Sequence, residues 1–273
     1  MLYMFFAAFC WSTGGLLLRL IDGNPFTVAG FRSLLSLPAT FLFFSQNKLR
    51  FTKKAWLIAI PGALTGFFYI LSNKFTTAAN AIVLMYISPV FIILIDVLIY
   101  REKARKEDIF AVCFSFLGIF LFFVDELSPG DLLGNILAIL SGATNAILYV
   151  AMSRTNEDNG AVMIASQIEM LIIALPFMFL FPVSFTRKNI IAILLLGLFQ
   201  KGVGSGLQAK AAKFCPALDA MLISMVEPLL NPLLVLVFIG EKPGKFALIG
   251  GMVVISTVVI WNIAKLKHTV TDS

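Results

Sequence analysis

The sequence predicts an all-α integral membrane protein of ten transmembrane helices, arranged as two inverted five-helix repeats. Three observations predict it: composition, a succession of long apolar runs, and a motif that occurs twice. Of 273 residues, 59% are hydrophobic and only 13% charged, against roughly 25% charged in a soluble domain. At about 20 apolar residues per span plus a short turn, the length admits roughly ten helices and leaves almost nothing for a soluble module. Strands of a β-barrel would alternate in polarity, and these runs do not.

The runs follow one another between polar punctuation. Residues 2–18 lack the basic start of a secretory signal and pass through the short turn Asp22 to Pro25 into residues 26–44, so the first run reads as a retained helix. Lys53 and Lys54 precede residues 55–71, and residues 78–99 end in Arg101, Glu102 and Lys103. Residues 109–124 follow that charged turn, and an acidic turn from Asp125 to Asp131 leads into residues 132–152. Residues 161–183, 190–207, 217–239 and 246–263 complete the set. Proline interrupts several runs at Pro38, Pro89, Pro176, Pro228 and Pro232, where each removes a backbone hydrogen bond and loosens its helix. Gly14, Gly15, Gly62, Gly66, Gly197, Gly202, Gly204 and Gly206 allow close backbone approach.

The net charge of +6 comes largely from the turns. With the amino terminus inside, the inner turns carry thirteen Lys and Arg and the outer turns six, so the positive-inside rule places both termini in the cytoplasm of a cell membrane. The basic balance is therefore an orientation signal, and no nucleic-acid partner is expected.

Ala81, Pro89, Glu102 and Lys103 reappear at one constant spacing as Ala220, Pro228, Glu241 and Lys242. This divides the chain into a first repeat, residues 1–126, a second, residues 127–268, and a polar tail, residues 269–273. Five is an odd number, so successive copies enter the bilayer from opposite sides. Two such halves can exchange conformations and open a central site to either side in turn. Pro89, Pro228 and Pro232 are the candidate hinges.

Chemistry of other kinds finds little support. The single histidine, His268, lies in the tail, and Cys10, Cys113 and Cys215 have no metal spacing, so no catalytic residue, metal or cofactor is expected. A phosphate-cradling G-x-x-x-x-G-K-[ST] loop is absent, which argues against a primary pump.

The stretch CPALDAMLISMVEPLLNPLLVLVFIGEKPG, Cys215 to Gly244, resembles the ninth helix of EamA-like carriers of the drug/metabolite transporter superfamily. Trp11-Ser12, Arg32 and the counterpart from Ser88 to Lys103 are also similar to that family. The resemblance covers essentially the whole chain. It implies a secondary carrier for small organic solutes, often an exporter of amino acids or other metabolites, with its cavity between the halves. Lys201 departs from the pattern, which usually has an apolar or small residue there.

Polar side chains inside the spans are the natural site candidates, because a charge at mid-bilayer costs about 2.5 to 3.5 kcal/mol on insertion scales. Glu227 and Asn231 lie four apart on one face beside two prolines. Glu227 is then either a cation-binding or proton-coupling group or a structural partner of a buried base. Gln200 and Gln208 share a stripe, with Lys201 beside it holding a substrate carboxylate or neutralising a buried acid. Glu169 is the candidate acid, with Gln167 near it. Arg32 is an interfacial anchor or a gating group, and Asp96 pairs with the adjacent basic turn. Tyr69 with Asn73, and Asn145 with Tyr149, each offer a ring and an amide, and Trp11 and Tyr86 complete an aromatic wall.

The expected function is alternating-access transport of a small organic metabolite, an amino acid or related solute, in the direction of export. The partners are that solute, the lipid bilayer and a proton as candidate coupling ion. The competing readings are an importer of a quaternary amine such as choline, or a membrane lipid-handling protein without transport.

Overall fold

The computed structural model describes residues 1–44, 49–127, 131–230 and 244–271. Among these the chain is helical, without strands. The first half holds α1 (Leu2–Arg19), α2 (Pro25–Phe43), α3 (Lys53–Phe75), α4 (Ala78–Met85), α5 (Ser88–Leu98) and α6 (Lys106–Phe123). The second holds α7 (Leu132–Arg154), α8 (Asn159–Leu180), α9 (Arg187–Leu194), α10 (Gly204–Ala211), α11 (Ala217–Ser224) and α12 (Lys245–Thr271). A π-helical segment, Leu195–Val203, joins α9 to α10.

Among the described residues, seven stretches are long and apolar enough to cross a membrane. The fifth run falls outside that group because α6 opens with Lys106, Glu107 and Asp108, which shorten its apolar part. The ninth run is described only to Leu230, so Asn231, Pro232, Glu241 and Lys242 lie outside the described residues. Six helices start on a capping side chain, from Asn24, Thr52, Thr77, Asp131, Asp158 and Thr186. Each cap satisfies an amide that the helix itself cannot.

The fourth run is an elbow rather than one helix. Ile87 N donates to Leu84 O at 3.3 Å and Val90 N to Ile87 O at 2.9 Å, three-residue bonds that tighten the chain just before and across Pro89. The ninth run turns in the same way: Val226 N donates to Ile223 O and Leu229 N to Val226 O, both at 3.2 Å, around Pro228. The two elbows thus use the same bonds at corresponding positions. Pro89 causes its elbow by lacking an amide donor and crowding the carbonyl four residues back. Gly142 of α7 makes room for it, since a Cβ there would sit 2.6 Å from Met85 O.

Corresponding helices of the two halves pack on each other. α2 lies against α8, and the Thr27 hydroxyl is 2.9 Å from both Phe177 O and Phe181 O, while at the opposite ends Phe44 closes on Gly160. α6 lies against α12 in the same sense, with Trp261 Nε1 donating to Asp108 Oδ1 at 2.9 Å and Gly118 seated beside Gly250. Both pairs are antiparallel. In the first half α3 packs on α7 and α8, and in the second the π segment packs on α1 and α2.

The basic turns share one end of the bundle. Thr52 Oγ1 donates to Glu157 Oε2 at 2.7 Å, and Arg154, Lys103, Arg105 and Lys213 surround one depression there. At the other end Thr76 Oγ1 donates to Asn135 Oδ1 at 2.9 Å, and Asn189 Nδ2 to Ser184 O at 2.9 Å.

Candidate functional site

A cavity of about 300 Å³ lies between the two halves, at the small end of the range for small-molecule sites. Its wall contains Trp11, Arg32, Tyr69, Tyr86, Asn145, Tyr149, Gln200, Lys201, Gln208, Glu227 and Pro228, all singled out from the sequence. Arg32 therefore faces inward from α2 and is not an anchor at the interface.

The structure leaves other candidates elsewhere. Asn73 is exposed and donates to the Tyr69 carbonyl of its own helix at 2.7 Å. Gln167 is fully buried, and its Nε2 donates to the Thr40 hydroxyl at 3.0 Å, away from the cavity. That hydroxyl is in turn 3.0 Å from Ser36 O and 3.2 Å from Gly202 O, so Gln167 belongs to the seam between α2, α8 and the π segment. Glu169 is not in the cavity wall and does not meet Lys201. Pro89 shapes the elbow and does not line the cavity. Asn231 and Pro232 are outside the described residues.

Several lining residues were missed by sequence reasoning: Thr65, Ser33, Ser166, Ser224 and the methionines Met85, Met163, Met170 and Met221. The signal for one of them was available. Gly62, Thr65, Gly66 and Tyr69 fall at helical spacing on one stripe of α3.

The polar groups of the wall are unevenly satisfied. Tyr86 donates its hydroxyl to Glu227 Oε2 at 3.1 Å. Gln200 Nε2 donates to Trp11 O at 3.3 Å, while its Oε1 is buried without a hydrogen-bond partner. Arg32 Nε is likewise buried without one. Neither Arg32 nor Lys201 has a carboxylate at ion-pair distance among the described residues. The π segment explains how neighbours in sequence, Gln200 and Lys201, both reach the cavity: its wider turn rotates less per residue than an α-helix does.

Toward the basic end the cavity closes. Met4, Tyr149, Gln208, Cys215, Ala217 and Ala220 enclose a gap of only about 10 Å³, at the limit of what admits one water. Beyond it opens a vestibule of about 530 Å³ lined by Asp96, Glu102, Lys103, Arg105, Asp108, Arg154, Lys213 and Asp219. Arg154 grips Glu102 with two bonds, at 2.8 and 2.9 Å, reaches Asp96 at 2.8 Å, and lies 4.1 Å over the Tyr100 ring. Asp96 thus pairs across to the end of α7 and not with its own basic turn. The turn itself doubles back: Arg101 adopts φ 57°, and Glu102 N donates to Asp96 O at 3.0 Å, which presents the Glu102 carboxylate to Arg154. The bonds from Arg154 hold the Glu102 carboxyl below the usual glutamate range.

Comparison with known proteins places this geometry. A model of the EamA-like transporter family matches residues 1–124 and again residues 132–263. An uncharacterized transporter of Archaeoglobus fulgidus is 26% identical, with 86% of each chain covered. The uncharacterized transporter YwfM of Bacillus subtilis is 23% identical over 93% of each. A solved protein structure superposes with a TM-score of 0.86 at 18% identity, covering 96% of both chains, which speaks to the fold alone.

Proposed function

We propose, from the premise that the chain belongs to the EamA-like transporter family, that it carries a small organic solute across the membrane by alternating access through the cavity between its halves. One observation carries the reading: a polar, charged cavity inside the bundle, separated from a vestibule by a single thin layer of side chains. Lipid does not tolerate such side chains, so their convergence needs a solute to serve.

Ten spans in two inverted five-helix repeats fit the matched elbows, the antiparallel seating of α2 on α8 and α6 on α12, and the two successive family matches. Gathering the basic turns at one end supports a cytoplasmic vestibule and cytoplasmic termini. The state described is then closed toward the cytoplasm. The cavity wall reaches Leu18, Ala29 and Ile70, close to the opposite ends of α1, α2 and α3. Tyr149 and Gln208 belong to both the cavity and the closing layer, so a solute in the cavity touches the gate that must release it. Glu227, the buried carboxylate of the wall, is the group best placed for proton coupling.

The test is solute exchange in proteoliposomes with a panel of amino acids, organic acids and amines. Gly66→Trp is the diagnostic variant. A Cβ at Gly66 meets only Met170 Sδ, at 3.5 Å, so a large side chain can grow into the cavity. The expected result is exchange by the native protein and loss of it in a folded Gly66→Trp protein; unchanged exchange in that variant would remove the cavity from the path.

A further inference from the structure

Resting on the transport reading above, we infer that the solute carries a carboxylate and that Lys201 and Arg32 receive it. Among the described residues the cavity wall holds these two basic side chains against one carboxyl group, Glu227. Glu227 already accepts from Tyr86 at 3.1 Å, while the Nε of Arg32 is buried with no hydrogen-bond partner. The wall therefore brings two basic side chains to one acid, with a guanidinium donor of Arg32 unused on one side and the Gln200 Oε1 acceptor unused on the other. A buried donor without an acceptor is a fault in a finished core and an opening in a binding site. A carboxylate would supply the missing acceptor, since a guanidinium presents donors in the planar fork that two carboxylate oxygens match.

The remaining wall is consistent with that occupant and disfavours a quaternary amine. A solute cation would enter beside two like charges with a single counter-charge to meet it, and like charges repel most strongly where water is scarce. The rings of Trp11, Tyr69, Tyr86 and Tyr149 suit an apolar or aromatic body attached to the carboxylate. Placement of Lys201 is no accident of a long helix, because the π segment turns consecutive residues 200 and 201 toward the same space.

Three solutes of one skeleton test the assignment on the full-length protein: 3-phenylpropionate, phenylalanine and 2-phenylethylamine. Binding is read as a shift in melting temperature in detergent, and movement as exchange in proteoliposomes. Stabilisation by either carboxylate and not by the amine is expected. Lys201→Met should weaken carboxylate binding by roughly tenfold or more, the usual effect of removing a charged donor, with Lys201→Arg restoring most of it. Size-exclusion profiles identify any variant that fails to fold, and Arg32→Lys then serves as the second probe of the pair, weakening the same ligand through loss of the fork. If the amine binds and moves while the carboxylates do not, the carrier reading stands and this inference falls. Undiminished carboxylate binding in both Lys201→Met and Arg32→Lys overturns it as well. If no solute of any charge binds or moves, both readings fall together.

Discussion

Gly250 and Gly251 are neighbours in α12, identical in sequence terms, and the structure assigns them opposite responses to alanine. A Cβ on Gly250 would meet the Gly118 carbonyl and the Phe122 amide, and would come within 2.8 Å of Phe122 Cα, all backbone of α6. A Cβ on Gly251 would touch Phe122 Cδ2 at 3.8 Å and Leu229 Cδ2 at 3.9 Å, ordinary contacts. Backbone cannot rotate aside, so Gly250→Ala must push α6 and α12 apart, at an overpacking cost of about 1–3 kcal/mol. Both variants gain the same helix propensity, about 1 kcal/mol, and the gain cancels when one is compared with the other. Gly250→Ala should therefore melt below Gly251→Ala by about 2–12 °C, taking roughly 2–4 °C per kcal/mol for a chain of this size. Thermal unfolding of the two proteins in one detergent reads the difference directly. Equal melting temperatures, or a higher one for Gly250→Ala, would refute the antiparallel seating of α12 on α6.

Three further outcomes follow from the site and its closure. Tyr86→Phe removes the donor that holds Glu227, leaving a buried carboxylate oxygen without that bond, and should cost about 1–3 kcal/mol, seen as a lower melting temperature; Glu227→Gln keeps an acceptor for Tyr86 and should melt above it. Arg154→Gln breaks the bonds to Glu102 and Asp96 that clasp the vestibule end. At about 1 kcal/mol for partly exposed pairs, the open population should rise about fivefold, measured as faster reaction of the buried Cys215 thiol with an impermeant maleimide in a Cys113→Ser background; an unchanged rate would show that the clasp does not hold the gate. Glu102 gives the same gate a pH dependence. Its carboxyl is held below the ordinary value of 4.5 by the bonds from Arg154, so its contribution is complete above that value and lost as the pH falls through the lowered one. Acidification below pH 4.5 on the vestibule side should raise the Cys215 labelling rate of the native protein to that of Arg154→Gln measured at the same pH, a comparison in which the loss of thiolate that slows both proteins cancels.

Hydropathy located the seven stretches that are long and apolar enough to cross a membrane among the described residues, because a bilayer demands continuous apolar length, and the repeated proline motif marked both elbows. Rotation about each helix axis was harder to read. Arg32 lies in the first half of α2, where a long side chain can run either to the interface or inward, and only the packing of α2 on α8 and the π segment decides between them. Gln167 and Gln200 look alike as isolated amides in apolar runs. One is consumed by Thr40 in a helix seam and the other borders the cavity. The π segment left no mark in the sequence that separates it from an α-helix, although its Gly197 and Gly202 seat closely against α2. The pairing of Asp96 with Arg154 joins residues 58 apart, and proximity along the chain pointed instead to the neighbouring basic turn.

The clasp at Arg154 stands in an open mouth, with side-chain exposures of 30% for Arg154, 23% for Asp96 and 53% for Glu102. Groups so exposed are open to dissolved ions, and at 0.15 M the screening distance is about 8 Å. Ionic strength at that end of the bundle thereby sets how firmly the Arg154 clasp holds. Preparations in dilute buffer would hold the clasp more tightly than those at 0.15 M salt, and Cys215 would be labelled more slowly there.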